Sequence, residues 1–457
     1  MKSRVQCIHL IGIGGIGMSG IAEVLHNQGF SVQGSDLAES PNVARLGSLG
    51  VKVMIGHAAE NLGAAQVVVV SSAIDPRNPE IAEALSRGIP VIPRADMLAE
   101  LMRMKQGIAV AGSHGKTTMT SLIAHGMETA GLDPTYVIGG RLIACGSNAR
   151  LGASPWLVAE ADESDGSFLR LSPTIAVVSN IDPEHLDHYG DFDSLMEAFH
   201  TFVDLVPFYG RVVLHHEHPN VAALRERLHK PVTTYGSSPQ ADLHLLGVQA
   251  DENGQSFTAA SRELGELGAF QLPMPGRHNA ENALAAIAVL LDLGIDIDAI
   301  RHALASFEGI QRRFQRSNIG AGVLVDDYGH HPKEVMATLA AARQCWPKRH
   351  ISVIFQPHRY SRTRDLMTEF MGAFDAANTV ALLPIYAAGE AAIEGVDSNR
   401  IAEGMRARGH RSVTLLASLE AARQLADLEL QQGHIVVLMG AGSIGALAQQ
   451  MREAAAR

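Results

Sequence analysis

The chain has 457 residues, more than a single hydrophobic core usually organises, so two or three domains are expected. Its formal net charge of −11 excludes general nucleic-acid binding, which requires a positive surface, so any anionic substrate must be held by local clusters of donors. Apolar runs are too short for membrane insertion, and the 3 widely spaced cysteines fit neither a disulfide framework nor a zinc site. We therefore predict a cytoplasmic protein.

A glycine-rich loop lies near the N-terminus. The first apolar run reads as a buried strand, and the loop Gly12 to Met18 follows it and opens a helix. Glycines at positions 12, 14 and 17, with Asp36 after the next strand, form the dinucleotide-binding fingerprint. Alone, this pattern is compatible with NAD, with the diphosphate of a nucleotide sugar, or with close packing of a helix on a strand.

Two further features of the first segment are candidates for ligand contact. The apolar run Val67 to Val70 ends in the small residues Ser71 and Ser72, which suit a strand end that touches a ligand. His57 is ambiguous, because a lone histidine more often has an ordinary structural role.

A second glycine loop opens the next segment. The apolar run Ile108 to Ala111 leads into Gly112 to Thr118 and a helix predicted through Met127. Backbone N–H groups, the helix dipole and Lys116 would form a phosphate cradle there, and the neighbouring threonine hydroxyl could reach Mg²⁺. The loop is shorter than the strict P-loop pattern. We favour nucleotide binding over a plain helix start with a solvated lysine.

Acidic residues follow the next two strands of this segment. Glu160 ends one strand, and the stretch Asn180 to Asp187, which includes His185, follows another. Ligands gather at the carboxyl ends of parallel strands, so a Mg²⁺–nucleotide site is predicted. His185 suits it less well because Mg²⁺ prefers oxygen ligands. Four acids are instead expected to be solvated loop charges: Asp162, Glu163, Asp165 and Asp187.

Several histidines and asparagines come later in the segment. His215, His216 and His218 lack the spacing of a defined metal site and are expected at the surface. Asn279 and Asn282 can point from one face of an alanine-rich helix towards a base edge, although an N-cap role also explains Asn279.

The third segment again alternates strands with helices. One strand ends in the run Asp326 to Pro332, and the next ends in Gln356 to Arg364, whose three arginines predict an anion site. The final turn Gly440 to Gly445 is expected to serve packing. The whole pattern predicts three α/β domains, 1–104, 105–311 and 312–457, each with a mainly parallel sheet.

Together these motifs resemble those of the Mur ligases, the ATP-dependent enzymes that build the peptide of bacterial peptidoglycan precursors. The resemblance covers nearly the whole chain and is carried by stretches 12–18, 112–118, 160–165, 278–282, 326–332 and 356–359. It implies a Rossmann-like N-terminal domain for a UDP-sugar, a P-loop-type central ATPase domain and a Rossmann-like C-terminal domain for an amino acid. It is strongest to the members that add L-alanine to UDP-N-acetylmuramate.

The resemblance also implies a role for individual residues. The ATP-binding residues would be Gly112, Ser113, His114, Gly115, Lys116, Thr117, Thr118, Asn279, Asn282, Arg313 and Asp327. The Mg²⁺ site would comprise Thr117, Glu160 and His185. The UDP-sugar site would comprise Gly14, Gly15, Gly17, Asp36, His57, Ser71 and Ser72. The amino-acid and catalytic residues would be Lys116, His185, Tyr328, His330, His358, Arg359 and Arg362.

The implied chemistry starts with transfer of the ATP γ-phosphoryl group to the lactyl carboxylate of the sugar, which gives an acyl phosphate. The amine of L-alanine then attacks and phosphate leaves, with His185 or another histidine accepting the amine proton. Closure of the third domain on ATP would exclude water.

Three other functions stay open at this point. A ligase of the same family that recycles the murein tripeptide would use the same sugar nucleotide and ATP. A nicotinamide-dependent dehydrogenase would use the Gly12 loop and Asp36 but leaves Lys116 and Glu160 without a role. A nucleotide-binding regulator would bind without turnover. The sequence allows a monomer or a homodimer.

Overall fold

The computed structural model describes residues 1, 4–71, 73–144 and 147–455. The chain divides into two compact units. The first comprises Met1–Leu246, Thr258–Gly268 and Glu281–Phe307. The second comprises Gly247–Phe257, Ala269–Ala280 and Glu308–Arg457. Among the described residues, no helix combines the length and the apolar character needed to cross a membrane.

The first unit begins with a five-stranded parallel sheet in the order β3-β2-β1-β4-β5. Its strands are β1 (Cys7–Ile11), β2 (Ser31–Asp36), β3 (Lys52–Ile55), β4 (Val67–Val70) and β5 (Val91–Pro93). Its helices are α1 (Ile16–Asn27), α2 (Pro41–Ser48), α3 (Pro79–Ser86) and α4 (Arg94–Arg103). The strand order reverses between β1 and β4, and in doubly wound sheets the ligand crevice lies outside the strand ends at that point.

Seven strands of a ten-stranded second sheet follow in the same unit, in the order β8-β7-β9-β6-β10-β11-β12, and three later strands continue this sheet beyond β12. These strands are β6 (Gln106–Ala111), β7 (Thr135–Val137), β8 (Ala149–Arg150), β9 (Trp156–Glu160), β10 (Pro173–Val178), β11 (Arg211–His215) and β12 (Val232–Gly236). All neighbours pair in parallel except β7 with β8. Its helices are α5 (Lys116–Thr129), α6 (Leu186–Tyr189), α7 (Phe192–Asp204) and α8 (Pro219–Glu226). The central strand β6 is buried from Gly107 to Ala111, as expected for a strand covered on both faces.

The next elements fall at the boundary between the two units. The strands are β13 (Leu243–Asp251), β14 (Gly254–Ser261) and β15 (Gly265–Leu272), and the helices are α9 (Arg277–Asp292) and α10 (Ile297–Ala305). All of them except α10 are divided between the units. The strand series β13 to β15 was not predicted, because its exposed, mixed sequence lacks the apolar runs that mark the other strands.

The second unit is built around a six-stranded sheet in the order β16-β17-β21-β18-β19-β20. The strands are β16 (Gln315–Ile319), β17 (Gly322–Asp327), β18 (Ile351–Phe355), β19 (Thr379–Leu382), β20 (Val413–Leu415) and β21 (Ile435–Met439). The helices are α11 (Pro332–Cys345), α12 (Tyr360–Asp365), α13 (Met367–Gly372), α14 (Ser398–Ala407), α15 (Leu419–Gln431) and α16 (Ile444–Ala455). Only β16 runs antiparallel to its neighbour.

Alternation along the strands gives this last sheet two apolar faces. In β17, Val323 and Val325 belong to one hydrophobic cluster, and Leu324 belongs to a cluster on the other side. Helices cover both faces, as in other parallel sheets. The predicted α/β class with three mainly parallel sheets is therefore confirmed, while the domain boundaries after residues 104 and 311 stay predictions.

A buried polar network joins strands β1 and β2 of the first sheet to the first turn of α3. The Glu80 side chain is fully buried, and its carboxylate accepts hydrogen bonds from Ser35 Oγ at 2.6 Å and Asn61 Nδ2 at 2.5 Å. His9 Nε2 lies 3.1 Å from the same carboxylate. Burial alone would raise the pKa of Glu80, but the contacts with His9, Ser35 and Asn61 outweigh it and lower the pKa to about 2.

We predict that Glu80→Gln destabilises the protein and flattens its acid unfolding. The lowered pKa means that ionised Glu80 stabilises the fold above pH 4.5, and that this contribution disappears as the pH falls from 4.5 towards 2. The shift corresponds to about 3 kcal/mol at pH 7, which the variant should lose. Denaturant unfolding between pH 2 and 7 measures this. The matched control is Glu60→Gln, at an exposed position nearby, which should change stability by less than about 0.5 kcal/mol. Equal free energies of unfolding for Glu80→Gln and Glu60→Gln across this pH range would contradict the prediction.

Candidate active site

The loop between β6 and α5 can form only because two of its residues are glycines. Gly112 has φ +128° and Gly115 has φ +85°, both in the region that favours glycine. A Cβ at Gly112 would collide with Ser179 Oγ and lie 3.0 Å from the Asn180 carbonyl oxygen. The end of β10 therefore lies directly against the loop.

Residues after β10 hold the loop open. The N–H of Ser113 donates to the Asn180 carbonyl at 3.0 Å, and the N–H of His114 donates to Asn180 Oδ1 at 2.7 Å. In return, the N–H of Asp182 donates to Ser113 Oγ at 2.8 Å. These contacts fix the loop from the neighbouring strand, so the N–H groups in the first turn of α5 are aimed at one place.

Lys116 lies within this loop rather than in solvent. Its Nζ donates to the Gly112 carbonyl at 2.6 Å and to Glu163 Oε1 at 2.8 Å. Burial alone would lower the pKa of Lys116, but the charges of Glu163 and Asp162 outweigh it and raise the pKa. The lysine is therefore a fixed positive charge at neutral pH.

The expectation that Glu163 is a solvated loop charge was wrong. Its side chain is 2% exposed, because the turn after β9 directs it inwards against Lys116. Its Oε2 is buried without a hydrogen-bond partner in the described part of the chain. Asp162 also belongs to this charge cluster: burial would raise its pKa, but Lys116 and the contact with Ser164 lower it. The acidic run alone did not reveal which acid turns inwards.

The three predicted Mg²⁺ ligands lie on elements that surround the loop. Thr117 is buried in the first turn of α5. Glu160 ends β9 beside Val110 of β6, and its Oε1 accepts a hydrogen bond from the N–H of Gly139 at 2.6 Å. His185 precedes α6 with φ +58°, a conformation that non-glycine residues rarely adopt.

The two predicted adenine-contacting asparagines have different surroundings. Asn282 lies against the phosphate loop, since a Cβ at Gly115 would be 2.7 Å from Asn282 Oδ1. Asn279, in the second unit, is buried and donates from Nδ2 to the Pro275 carbonyl at 2.8 Å, so it supports the start of its own helix. Their predicted contact with adenine stays a prediction.

The histidine cluster after β11 is less exposed than expected. The ring of His215 is tilted against that of Tyr235 at a centroid distance of 5.2 Å, and its Nε2 lies 3.7 Å from Glu217 and 3.9 Å from Glu281. Burial lowers the pKa of His215. The prediction of a surface position was therefore wrong for His215, because β12 and α9 cover it.

Hydrogen bonds with neighbouring residues fix the conformation of the glycine loop of the first sheet. The N–H of Gly14 donates to Asp36 Oδ2 at 2.8 Å, and Asn42 Nδ2 donates to the Gly14 carbonyl at 2.7 Å. Ser71 Oγ would lie 3.9 Å from a Cβ at Gly12, so the ends of β1 and β4 lie close together here. Gly15 precedes α1 as its N-cap.

The other predicted residues of the UDP-sugar site differ in their surroundings. His57 Nδ1 lies 2.9 Å from Ser35 Oγ and 3.7 Å from Glu80, so His57 borders the buried network of the first sheet. Gly17 lies under the guanidinium of Arg94. Ser72 lies outside the described residues.

A second cluster lies at the carboxyl ends of β17 and β18 in the second unit. The ring of His330 lies 5.2 Å from Tyr328 and 6.0 Å from His358, and Arg362 Nη1 lies 3.3 Å from His358 Nδ1. Arg359 has φ +72° at the start of α12. The structure thus brings together four of the residues predicted to serve the amino acid and catalysis: Tyr328, His330, His358 and Arg362.

Both histidines of this cluster are neutral at pH 7. Burial is the main reason that the pKa of His330 falls to about 3 and that of His358 to about 4. The charge of Arg362 lowers both pKa values further. A neutral imidazole has a lone pair that can accept a proton.

The remaining predicted ATP contacts have partners within the second unit. Asp327 accepts hydrogen bonds from the N–H groups of Phe314 and Gly329, both at 2.8 Å, and burial raises its pKa to about 6. Arg313 lies 5.3 Å from the Tyr328 ring centroid and 3.9 Å from Glu334. Asp327 therefore shapes the turn that presents Arg313, a role that the sequence did not reveal.

Three family models match the chain. They are described as "Mur ligase family, catalytic domain" at residues 7–106, "Mur ligase middle domain" at 110–290, and "Mur ligase, glutamate ligase domain" at 312–442. The UDP-N-acetylmuramate–L-alanine ligase of Novosphingobium aromaticivorans is 52% identical, over 100% of this chain and 98% of that protein. The protein of the same name from Rhodospirillum centenum is 50% identical, over 99% of this chain and 95% of that one.

Solved structures agree with this similarity. The UDP-N-acetylmuramate–alanine ligase of Thermotoga maritima has a TM-score of 0.84 and 28% identity, with 98% of both chains covered. A murein peptide ligase of Psychrobacter arcticus has a TM-score of 0.74 at 23% identity, again with 98% of both chains covered. The second similarity shows a shared fold.

We predict that Gly115→Ala weakens nucleotide binding more than its backbone strain explains. Gly115 and Gly131 have nearly equal φ values, +85° and +81°, so alanine at either position should cost about 1 kcal/mol of stability. Only at Gly115 would the new methyl group meet a side chain, that of Asn282, whereas Gly131 has nothing within 4 Å. ATP affinity, measured by calorimetry, should fall about tenfold or more in Gly115→Ala and stay unchanged in Gly131→Ala. Equal losses in both variants would contradict this account.

We also predict that Arg362→Gln raises the pKa of His358 above 4. The substitution removes a neighbouring positive charge but leaves the burial, so the pKa should stay below the ordinary 6.5. NMR titration of the His358 ring measures the change. The control is Arg364→Gln, which removes an exposed arginine paired with Asp365 and should leave His358 unchanged. A fall in the pKa of His358 in Arg362→Gln would contradict the prediction.

Proposed function

The chain belongs to the Mur ligase family, and we propose that its candidate active site joins L-alanine to the lactyl carboxylate of UDP-N-acetylmuramate in an ATP-dependent reaction that releases ADP and phosphate. The observation that carries this proposal is 52% identity to a UDP-N-acetylmuramate–L-alanine ligase over the whole chain. The chain is thus an amide-bond-forming ligase of peptidoglycan precursor synthesis. We place the reaction in the cytoplasm.

The ATP phosphates would occupy the loop Gly112 to Thr118. The N–H groups of the first turn of α5 and the charged Lys116 supply donors there, and the hydrogen bonds from Asn180 keep the loop in place before ATP arrives. Because these groups are already ordered, little reorganisation is needed when charge develops on the γ-phosphate.

The residues around the loop fit a Mg²⁺ ion. Oxygen donors suit this ion, and the unsatisfied, buried Oε2 of Glu163 shows that one carboxylate oxygen lacks a cationic or hydrogen-bonding partner. Thr117, Glu160 and His185 would hold the ion, with Glu163 near them. When bound, Mg²⁺ would neutralise charge on the phosphates.

The acyl donor must be activated because a carboxylate is a poor electrophile. The lactyl carboxylate oxygen attacks the γ-phosphorus and ADP leaves, which gives an acyl phosphate. The amine of L-alanine then attacks the acyl carbon, loses a proton, and expels phosphate from the tetrahedral intermediate. Lys116 stabilises the transferred phosphoryl group in the first step.

The cluster around His330 and His358 would bind the amino acid. Arg359 or Arg362 can pair with its carboxylate through two parallel hydrogen bonds. Both imidazoles are neutral at pH 7, but their lowered pKa values also make them weak bases, so the amine proton is left to His185 or another histidine. Arg313, presented by the neighbouring turn, would contact the ATP phosphates.

The sugar nucleotide would bind at the glycine loop of the first sheet. Gly14, Gly15 and Gly17 allow a diphosphate to approach the N-terminus of α1, where the helix dipole favours negative charge. Asp36 contributes by fixing the N–H of Gly14. The murein-tripeptide ligase function is less well supported, because the relatives at 50% and 52% identity, matched over nearly their full length, are UDP-N-acetylmuramate–L-alanine ligases.

A phosphate-release assay tests the proposed function. The purified chain is given UDP-N-acetylmuramate, ATP and Mg²⁺ together with L-alanine, glycine, L-serine or the murein tripeptide in turn. We predict the highest kcat/KM with L-alanine. Turnover with the tripeptide alone would overturn the proposal in favour of the recycling ligase.

The matched variants in this assay are Lys116→Met and Lys348→Met. Loss of the Lys116 charge should lower kcat by about a hundredfold to a thousandfold, whereas loss of the exposed Lys348 should have no effect. Full activity of Lys116→Met would refute the assigned site.

A further inference from the structure

Arg94 lies beside the glycine loop of the first sheet, although it comes from a helix that follows another strand of that sheet. It is the first residue of α4 and follows β5, the edge strand. Its Nη1 would lie 2.6 Å from a Cβ at Gly17, and Gly17 is in the first turn of α1. Because Gly17 has no side chain, the guanidinium can rest directly on that turn.

The N–H donors of the Arg94 guanidinium have no hydrogen-bond acceptor among the described residues. In the part of the chain that the structure describes, it makes one ion pair, with Asp162 at 3.6 Å, and no hydrogen bond. An arginine carries five N–H donors, so an arrangement with none of them satisfied by protein leaves them for solvent or a ligand. The side chain is 27% exposed, so a ligand can reach it.

The local field at this position favours an anion. The first turn of α1 contains no acidic residue, so its positive end is not neutralised from within. Arg94 adds a full positive charge to that turn. The acid in the first turn of α4, Asp96, is paired with Arg170 instead. The Asp36 carboxylate already accepts the N–H of Gly14 in the same loop, so Arg94 supplies the positive charge that an anion needs there.

We propose that Arg94 is a binding residue for the diphosphate of the sugar nucleotide. This inference rests on the proposed function. The guanidinium donates to the diphosphate oxygens next to the first turn of α1, which also contacts them. The long contact between Arg94 and Asp162 is replaced, and no hydrogen bond is lost. The diphosphate thereby becomes the shared ligand of β5–α4 and β1–α1.

Binding experiments without ATP test the proposal, because they require no turnover. Titration calorimetry measures the Kd of UDP-N-acetylmuramate and of UDP for wild type, Arg94→Gln and Arg94→Lys. We expect Arg94→Gln to weaken both ligands by a similar factor, about tenfold to a hundredfold, since the lost contact is to the diphosphate that they share. Arg94→Lys should show a smaller loss. The melting temperature should hardly change, since Arg94 makes no hydrogen bond within the described chain.

Two controls separate ligand binding from other roles. Arg77→Gln removes an exposed arginine of the same sheet, paired only with Asp75, and should leave both Kd values unchanged. Asp162→Asn should leave UDP affinity unchanged or increase it, because it frees Arg94. If Asp162→Asn weakens UDP as much as Arg94→Gln does, Arg94 acts through Asp162 and the proposal is wrong.

Other outcomes are equally decisive. UDP affinity within twofold of wild type in Arg94→Gln overturns the proposal, including the case where only UDP-N-acetylmuramate is weakened, which would assign Arg94 to the lactyl carboxylate. Wild-type protein that binds neither ligand would instead refute the proposed function itself.

Discussion

The buried pair of Lys116 and Glu163 is the constraint on which the central site depends. Removing two charges from water is costly, and a buried pair is rarely a net source of stability. The pair is nevertheless built into the loop, where Lys116 also donates to the Gly112 carbonyl. The pair therefore fixes the position of the Lys116 ammonium group, at the place where we propose that a phosphate binds. Among the described residues, the buried Glu163 Oε2 has no hydrogen-bond partner.

Neighbouring strands supply what the shortened loop lacks. A longer loop could wrap its own N–H groups around a phosphate, but this loop takes its shape from Ser179 to Asp182 at the end of β10. The sheet order places β6 between β9 and β10, so Glu160 and the Asn180 turn flank the loop on its two sides. The order of the parallel strands thus brings the parts of the site together.

The sequence was sufficient for the parts that depend on local pattern. Valine-rich runs predicted the buried strands, and the glycine spacing predicted both loops, because a positive φ at Gly112 or Gly115 excludes other residues. The sequence was insufficient where the direction of a side chain after a strand decides whether that side chain is buried. Glu163 and Asp165 occupy the same acidic run, yet only Glu163 is buried against Lys116. His215 was likewise misjudged, since the elements covering it are distant in the chain.

Asp36 shows why the dinucleotide fingerprint left several ligands open. In that fingerprint the acid after the second strand binds a ribose hydroxyl. Here Asp36 Oδ2 accepts the N–H of Gly14, and a Cβ at Gly14 would lie 2.9 Å from that same oxygen. The carboxylate is thus part of the loop's own structure, although its spacing is that of a ribose ligand. Side chains that the fingerprint does not include also contact this loop: Asn42 of α2 donates to the Gly14 carbonyl, and Arg94 of α4 lies over Gly17. The same glycine spacing can therefore serve a nicotinamide cofactor in one chain and a sugar nucleotide in another, because the selection is made by residues outside the motif.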